Sequence, residues 1–463
     1  MTFNRRQMII GSALGLAAMG ISRPAWAQDA AAEQSATGVP YVKKDQINGG
    51  KPIKLTYWEW VNTRAEYEKR WTEEYMAMYP NVEIEVVMQP WEQYFQALAT
   101  NIPSGQPELY HMHTSRASQF CDSKLMDPIP TDVADLDYLK KNWVGFTEDA
   151  LACDDGSVHF LPMGTQLPIL LINTDMWKEA GLTEADIPKT WEQLRQAAIK
   201  LTQRDGRGRI NVAGLSMIPQ EYLQNAIYQQ GRYIFTKDTK KVQVQNPEFK
   251  KAVQFFSDLM HVDKTFDPAL IQLQWNAFLG KKAAMYIGFS WIVGSVRPLS
   301  KDMGWIGVPM PTPTGDFKPA YGNMPVPVEA AVNPYASAEA KAVAWDFWHY
   351  TYSRPGNVLH DSALNNGFVP AYAGVLNDPA VQDDPITAGL APAMEYSIIN
   401  VVPDAIRDEQ NQLLQQVILD PNDLDGKIAA AEQKMNAVLA QRESWPILER
   451  RYKHDDLMIP NQP

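Results

Sequence analysis

Cysteine is nearly absent: Cys121 and Cys153 are the only two in the chain. Neither sits in a CxxC, which argues against thioredoxin-like redox chemistry and the common zinc frames. After residue 27 no run approaches roughly 18 uninterrupted apolar residues, so no helical membrane span is expected. Base is short relative to acid, 42 Lys and Arg against 54 Asp and Glu. That balance disfavours nucleic acid and anionic membrane surfaces, which select basic patches. Catalytic motifs are missing too. Gly288-Phe289-Ser290-Trp291-Ile292 lacks the last glycine of a nucleophile elbow. Gly280-Lys281 lacks the upstream glycine of a phosphate loop, and no GxGxxG follows a strand. Asp205-Gly206-Arg207-Gly208 reads as a turn, without the spaced carboxylates of a calcium loop. The seven histidines form no HExxH, and His111 and His113 have no third metal ligand within sequence reach. No cofactor is expected.

What is present begins with the first 27 residues. Asn4-Arg5-Arg6-Gln7-Met8, an apolar run from Met8 to Ile21 and Ala25-Trp26-Ala27 before Gln28 form an export signal cleaved after Ala27. The paired arginines resemble the twin-arginine signature; Asn4 and Met8 depart from it, so the Sec route stays open. Cleavage removes three arginines and no acid, taking the formal charge from −12 to −15. With no cysteine after the cleavage site, the expectation is a lipid-free protein in the periplasm. There the two cysteines read as one disulfide, with two buried free thiols as the alternative. A Cys121–Cys153 bridge would stabilise by about 3–4 kcal/mol on the chain-entropy model.

Residues 28–52, rich in Ala, Gln, Ser, Gly and charge, read as a loose tether. Order is expected from Ile53, where Leu55, Tyr57 and their neighbours alternate as a strand. Thr63-Arg64-Ala65-Glu66 reads as a capping box before a helix with Tyr67, Trp71, Tyr75 and Met78 on one face. Val82 to Met88 is a second strand, Trp91 to Asn101 a second helix and Leu109 to His113 a third strand. Strand–helix alternation at this spacing predicts parallel pairing and an α/β fold. Further on, Thr190 and Asn246 are expected to cap helices, and the last long helix should run from Leu424 to about Arg442.

Aromatic and short polar residues gather where strands end: Trp58-Glu59-Trp60, then Pro90-Trp91-Glu92-Gln93-Tyr94, then His113-Thr114-Ser115. In open α/β sheets ligands sit at the carboxyl ends of strands. Sugars present apolar C–H faces and hydroxyl edges, and a site for them needs flat aromatic surface beside carboxylate, amide or imidazole groups. A glycoside hydrolase using Glu59 and Glu92 is the competing reading of the same residues. Packing alone is the other.

Several stretches resemble extracellular solute-binding protein family 1 of ABC importers, the group that includes maltose-binding proteins. They are Leu55–Trp60, Tyr79–Val86, Pro90–Tyr94, Leu161–Thr165, Leu171–Trp177, Pro188–Leu194, Gly280–Ile287 with Ser290-Trp291, and Tyr321-Gly322-Asn323. The resemblance implies two α/β lobes, a hinge and a ligand cleft between lobes. It places lobe 1 at 53–165 and 321–380 and lobe 2 at 166–320 and 381–463, with Cys121 and Cys153 in the same lobe. It also implies a carbohydrate ligand, a permease partner in the inner membrane, a monomer and no enzyme activity. The ligand-facing residues it implies are Trp58, Glu59, Trp60, Trp91, Glu92, His113, Thr114, Ser115, Gln166, Trp291, Asn323 and Arg407. Where many relatives carry Asp, this chain has His113-Thr114-Ser115. The expected ligand is neutral or weakly charged, because Arg407 is the one basic candidate. Arg64, Arg116 and Arg297 are the residues whose entry into the site would favour an anion instead.

Overall fold

The computed structural model describes residues 35–143, 157–267, 273–323, 329–370, 372–399, 402–441 and 452–459. The strands used below are β1 (Ile53–Glu59), β2 (Val82–Met88), β3 (Leu109–Met112), β4 (Leu161–Pro162), β5 (Pro168–Asn173), β6 (Ser216–Met217), β7 (Met285–Phe289), β8 (Trp305–Pro309), β9 (Gly322–Asn323), β10 (Glu329–Val332) and β11 (Ser397–Ile398). The helices are α1 (Ala65–Met78), α2 (Trp91–Asn101), α3 (Thr114–Asp122), α4 (Pro219–Tyr228), α5 (Pro247–His261), α6 (Ala338–Tyr352), α7 (Asp404–Leu419) and α8 (Leu424–Leu439). Two compact units divide the chain. The first takes described residues up to 166 and from 325 to 384; the second takes 167 to 324 and 385 onward.

The first unit is built on a five-stranded sheet in the order β2-β1-β3-β10-β4. β1 pairs in parallel with β2, from Ile53 opposite Val82 to Glu59 opposite Met88, and with β3. β10 runs antiparallel to β3 and β4. The alternation of β1 puts Leu55, Tyr57 and Glu59 inside. α1 turns Glu68, Trp71, Thr72 and Tyr75 inward, while Tyr67 and Met78 stay half-buried, so its inner face is more polar than the aromatic spacing suggested. The Thr63–Glu66 capping box does not form. Asn62–Arg64 is a 3₁₀ turn, and Arg64 stands at the N-cap without a side-chain cap because its guanidinium is buried beneath the sheet end.

The N-terminal stretch also differs from expectation. Residues 35–52 are docked on the first unit rather than loose. Ala36 N–H donates to Tyr352 O at 3.1 Å, and Trp143 Nε1 donates to Ala36 O at 2.7 Å. Tyr41 donates to Asp346, Lys44 pairs with Asp346 at 2.7 Å, and Asn81 holds Ile47 O. Composition missed this because the stretch is anchored by scattered backbone groups and two polar side chains, not by an apolar run. Residues 28–34 and the export signal lie outside the described residues.

The second unit holds a four-stranded sheet in the order β8-β5-β7-β6. β5 is buried along its whole length and antiparallel to both neighbours, while β6 runs parallel to β7. Thr190 and Gln193 form the expected capping box, and Asn246 accepts from Phe249 N–H at 2.8 Å to start α5. β9 pairs in parallel with β11, and the buried Tyr321 hydroxyl accepts from Met310 N–H at 2.7 Å and donates to Pro168 O. These contacts hold residues 321–323 in the second unit, where the resemblance had put them in lobe 1. Gln166 falls in the first unit rather than in lobe 2.

Candidate functional site

The carboxyl ends of β1, β2 and β3 lie side by side in the first unit, and the residues after them gather there. Trp60 packs against Trp91 at 5.5 Å between ring centroids, against Tyr94 at 4.7 Å and against Phe95 at 5.7 Å. Trp91 reaches His113 at 5.5 Å and is 39% exposed. Trp58 is half-buried beside Tyr94 at 6.5 Å. Arg116 lies over the Phe95 ring. His113 caps α3, its Nδ1 accepting from Ser115 N–H at 3.2 Å. Thr114 and Ser115 are buried in that first turn, and the Ser115 hydroxyl lies 2.8 Å from His113 Nδ1. The side chain of Glu92 lies outside the described residues.

Glu59 takes a different place from the one expected of a ligand contact or a hydrolase carboxylate. It is fully buried, and its Oε1 accepts from Trp60 N–H at 2.6 Å and Val61 N–H at 2.8 Å. Its Oε2 lies 2.5 Å from His111 Nδ1 and 3.4 Å from Arg64 Nη2. Arg64 Nη2 also donates to Glu68 Oε1 at 3.0 Å, and the Tyr57 hydroxyl lies 2.8 Å from His111 Nε2. Burial alone would raise the Glu59 carboxyl; Arg64 and His111 outweigh it and hold the group well below the usual range. Burial pushes His111 down to about 4 and Glu68 well above its ordinary value. Glu59, Glu68 and His111 place three potential ligand atoms within 4.8 Å of one another, but Arg64 already supplies the cation there. Arg64 therefore serves no ligand anion.

In the second unit β6 and β7 run parallel, so their carboxyl ends also lie together. β7 leads to Trp291, half-buried and 5.2 Å from Trp275. β6 leads to Gln220 and Glu221 in the first turn of α4, residues that the sequence reading passed over. Glu221 is 8% exposed and one of its oxygens, Oε2, has no partner. Burial raises its carboxyl to about 7, against the pull of Arg407, the Phe289 backbone and the Trp291 side chain. Arg407 donates from Nε to Gln220 at 3.1 Å and sits 3.3 Å from Asp404, so its charge is held within the unit. Asn323 is buried, and its backbone N–H donates to Asn225 Oδ1 at 2.8 Å. Gln166 is buried in the first unit with its Oε1 unpaired. The signal for Glu221 was legible: Pro219 at the first helical position marks a helix opening directly after a strand.

The model of the family described as bacterial extracellular solute-binding protein matches residues 70–389. The chain is 27% identical over 331 residues to a maltotriose-binding protein of Pyrococcus abyssi, covering 71% of this chain and 68% of that one. Its fold is similar to a maltose/maltodextrin-binding domain from Bdellovibrio bacteriovorus bound to maltotriose, with a TM-score of 0.70, 18% identity and coverage of 84% and 100%. An ABC substrate-binding protein from Listeria monocytogenes in complex with cycloalternan matches with the same TM-score, identity and coverage of 84% and 100%. The α/β architecture is thus that of the two-lobed binding proteins. The chain belongs to the bacterial extracellular solute-binding protein family.

Proposed function

We propose that this chain is the carbohydrate-binding component of an ABC importer, a non-enzymatic receptor that hands its ligand to a membrane permease. The observation that carries the reading is the exposed indole of Trp91 within the Trp60–Tyr94–Phe95 cluster, in a chain of this family. Such a surface stacks on the apolar face of a sugar ring. In the second unit Trp291 and the unpartnered oxygen of Glu221 offer a second aromatic face and a hydroxyl acceptor. One relative is named for maltotriose and one structural neighbour was solved in complex with cycloalternan, which favours a neutral oligosaccharide. Arg64 and Arg407 are engaged by acids or amides of their own units and so are not offered to a phosphorylated ligand; Arg116, over the Phe95 ring, is the basic side chain beside the cluster, which is why sugar phosphates belong in the test.

A thermal-shift screen of neutral mono- to trisaccharides, sugar acids and sugar phosphates tests this. A ligand at about 100 times its Kd stabilises by about 2.7 kcal/mol. Stabilisation by a sugar phosphate alone would overturn the neutral-sugar reading. Turnover of nitrophenyl glycosides would overturn the non-enzymatic one.

Export to the periplasm with cleavage after Ala27, a monomeric state and the Cys121–Cys153 bridge belong to the same proposal. Cys153 lies outside the described residues, and no free cysteine occurs among those described. Two reactive thiols per denatured, unreduced chain would mean no bridge.

A further inference from the structure

We infer that the buried Glu59–Arg64–Glu68–His111 network is a positioning device for Trp60, setting ligand affinity without touching ligand. This rests on the proposal that the Trp60–Trp91 surface meets a carbohydrate. The first observation is where the hydrogen bonds go. One carboxylate oxygen of Glu59 takes both Trp60 N–H and Val61 N–H, at 2.6 and 2.8 Å. These are the first two residues beyond β1, and nothing in a strand ladder would otherwise order them. The second is that Glu59 is itself held from two other elements: by His111 on β3, and by Arg64 at the start of α1, which Glu68 on α1 holds in turn. All four side chains are fully buried. Ligand therefore cannot reach them while the unit is folded as described.

The third observation separates positioning from plain stabilisation. Arg64 Nε and Nη1 are buried without hydrogen-bond partners. Unpaired buried donors and acceptors are costly, and well-packed apolar replacements for a buried ion pair are often as stable. A network serving stability alone would be poorly built. One serving direction is well built, because Glu59 has both oxygens fixed and so holds the Trp60 backbone in one orientation. Trp60 then carries that orientation to the Trp91, Tyr94 and Phe95 rings it packs against.

A double-mutant cycle on the full mature chain tests the inference, with affinity measured calorimetrically for the best sugar from the screen. Glu59→Gln should weaken binding at least about tenfold alone and less than about twofold in a Trp60→Ala background. Equal losses in both backgrounds would show that Glu59 does not act through Trp60 and would overturn the inference. Should Glu59→Gln fail to fold, Arg64→Lys, which keeps the charge and loses the planar guanidinium, carries the same cycle with the same criteria. Fluorine NMR of 5-fluorotryptophan-labelled protein, with Trp60 assigned by Trp60→Phe, needs no ligand. The Trp60 resonance should shift or broaden in Glu59→Gln while Trp291 does not. An unmoved Trp60 resonance overturns the inference; a moved one in a protein that binds no sugar supports it and rejects the carbohydrate reading instead.

Discussion

The two units each place a buried carboxylate beside tryptophan at the carboxyl end of parallel strands, and the two acids end in opposite conditions. In the first unit both Glu59 oxygens are engaged, and Arg64 and His111 hold the group ionised. In the second unit Glu221 keeps one oxygen without a partner, and burial raises its carboxyl to about 7. The difference comes from the neighbours. Arg64 sits five residues after Glu59, at the start of the next helix, and points its guanidinium inward. Arg407 instead turns to Gln220 and Asp404. A carboxylate already satisfied by its own fold organises the backbone around it. One left partly unsatisfied is available to a ligand hydroxyl.

The largest effect expected from breaking this contrast is at Arg64. Arg64→Met leaves Glu59 buried without its cation and should cost about 3–5 kcal/mol in urea unfolding. Adding Glu59→Gln to it should recover most of that loss. If Arg64→Met unfolds like the parent protein, the charge pairing described for the cluster is wrong.

The matching change in the second unit should behave differently. Measured at pH 8, where the Glu221 carboxyl is ionised, Glu221→Gln should lower sugar affinity by about 1.5–3 kcal/mol, the range for a hydrogen bond to a charged group, with little loss of fold stability. Its pH dependence has a definite sign. The Glu221 carboxyl is raised from 4.5 to about 7, so between those values the folded chain holds a proton that the unfolded chain has released. Stability from this group therefore falls as pH rises from about 4.5 to about 7. Relative to the parent, Glu221→Gln should gain stability on going from pH 5 to pH 8. Urea midpoints that stay equally spaced at both pH values would reject the shift.

The smallest effect is at the exposed ring. Trp91→Ala removes a partly exposed indole and should weaken sugar binding by about 0.5–1.5 kcal/mol. The melting temperature of the unliganded protein should barely change. A large drop in melting temperature would make Trp91 a packing residue and sharpen attention on Trp60.

Much of this site could be read along the chain, and the misses have a common cause. The strand ends carrying Trp60, Trp91 and His113 followed from period and strand–helix alternation, which are local properties. The Thr190 and Asn246 caps were legible for the same reason. The Thr63–Glu66 box was equally regular in sequence but did not form, since burying Arg64 against Glu59 and Glu68 took precedence at that helix start. Residues 35–52 look like a tether in composition, yet Asp346 far along the chain holds Tyr41 and Lys44. Glu221 carried a readable helix-start signal, but its ionisation is set in space, by burial that raises the carboxyl against the pull of Arg407, the Phe289 backbone and the Trp291 side chain.

Sequence by itself determined the class of this molecule: alternating strands and helices, aromatic residues at strand ends and the order of motifs of the solute-binding family. The elements and each single motif depend on near neighbours in the chain, where periodicity and capping act, and the order of motifs is read directly along it. Tertiary structure alone decided which acid is available. Glu59 and Glu221 are the same side chain, and each is surrounded by groups that the chain brings from elsewhere: His111 from β3 for the one, Arg407 from α7 and Trp291 after β7 for the other. Charge and hydrogen bonding act over a few ångströms of space, and sequence distance does not measure that.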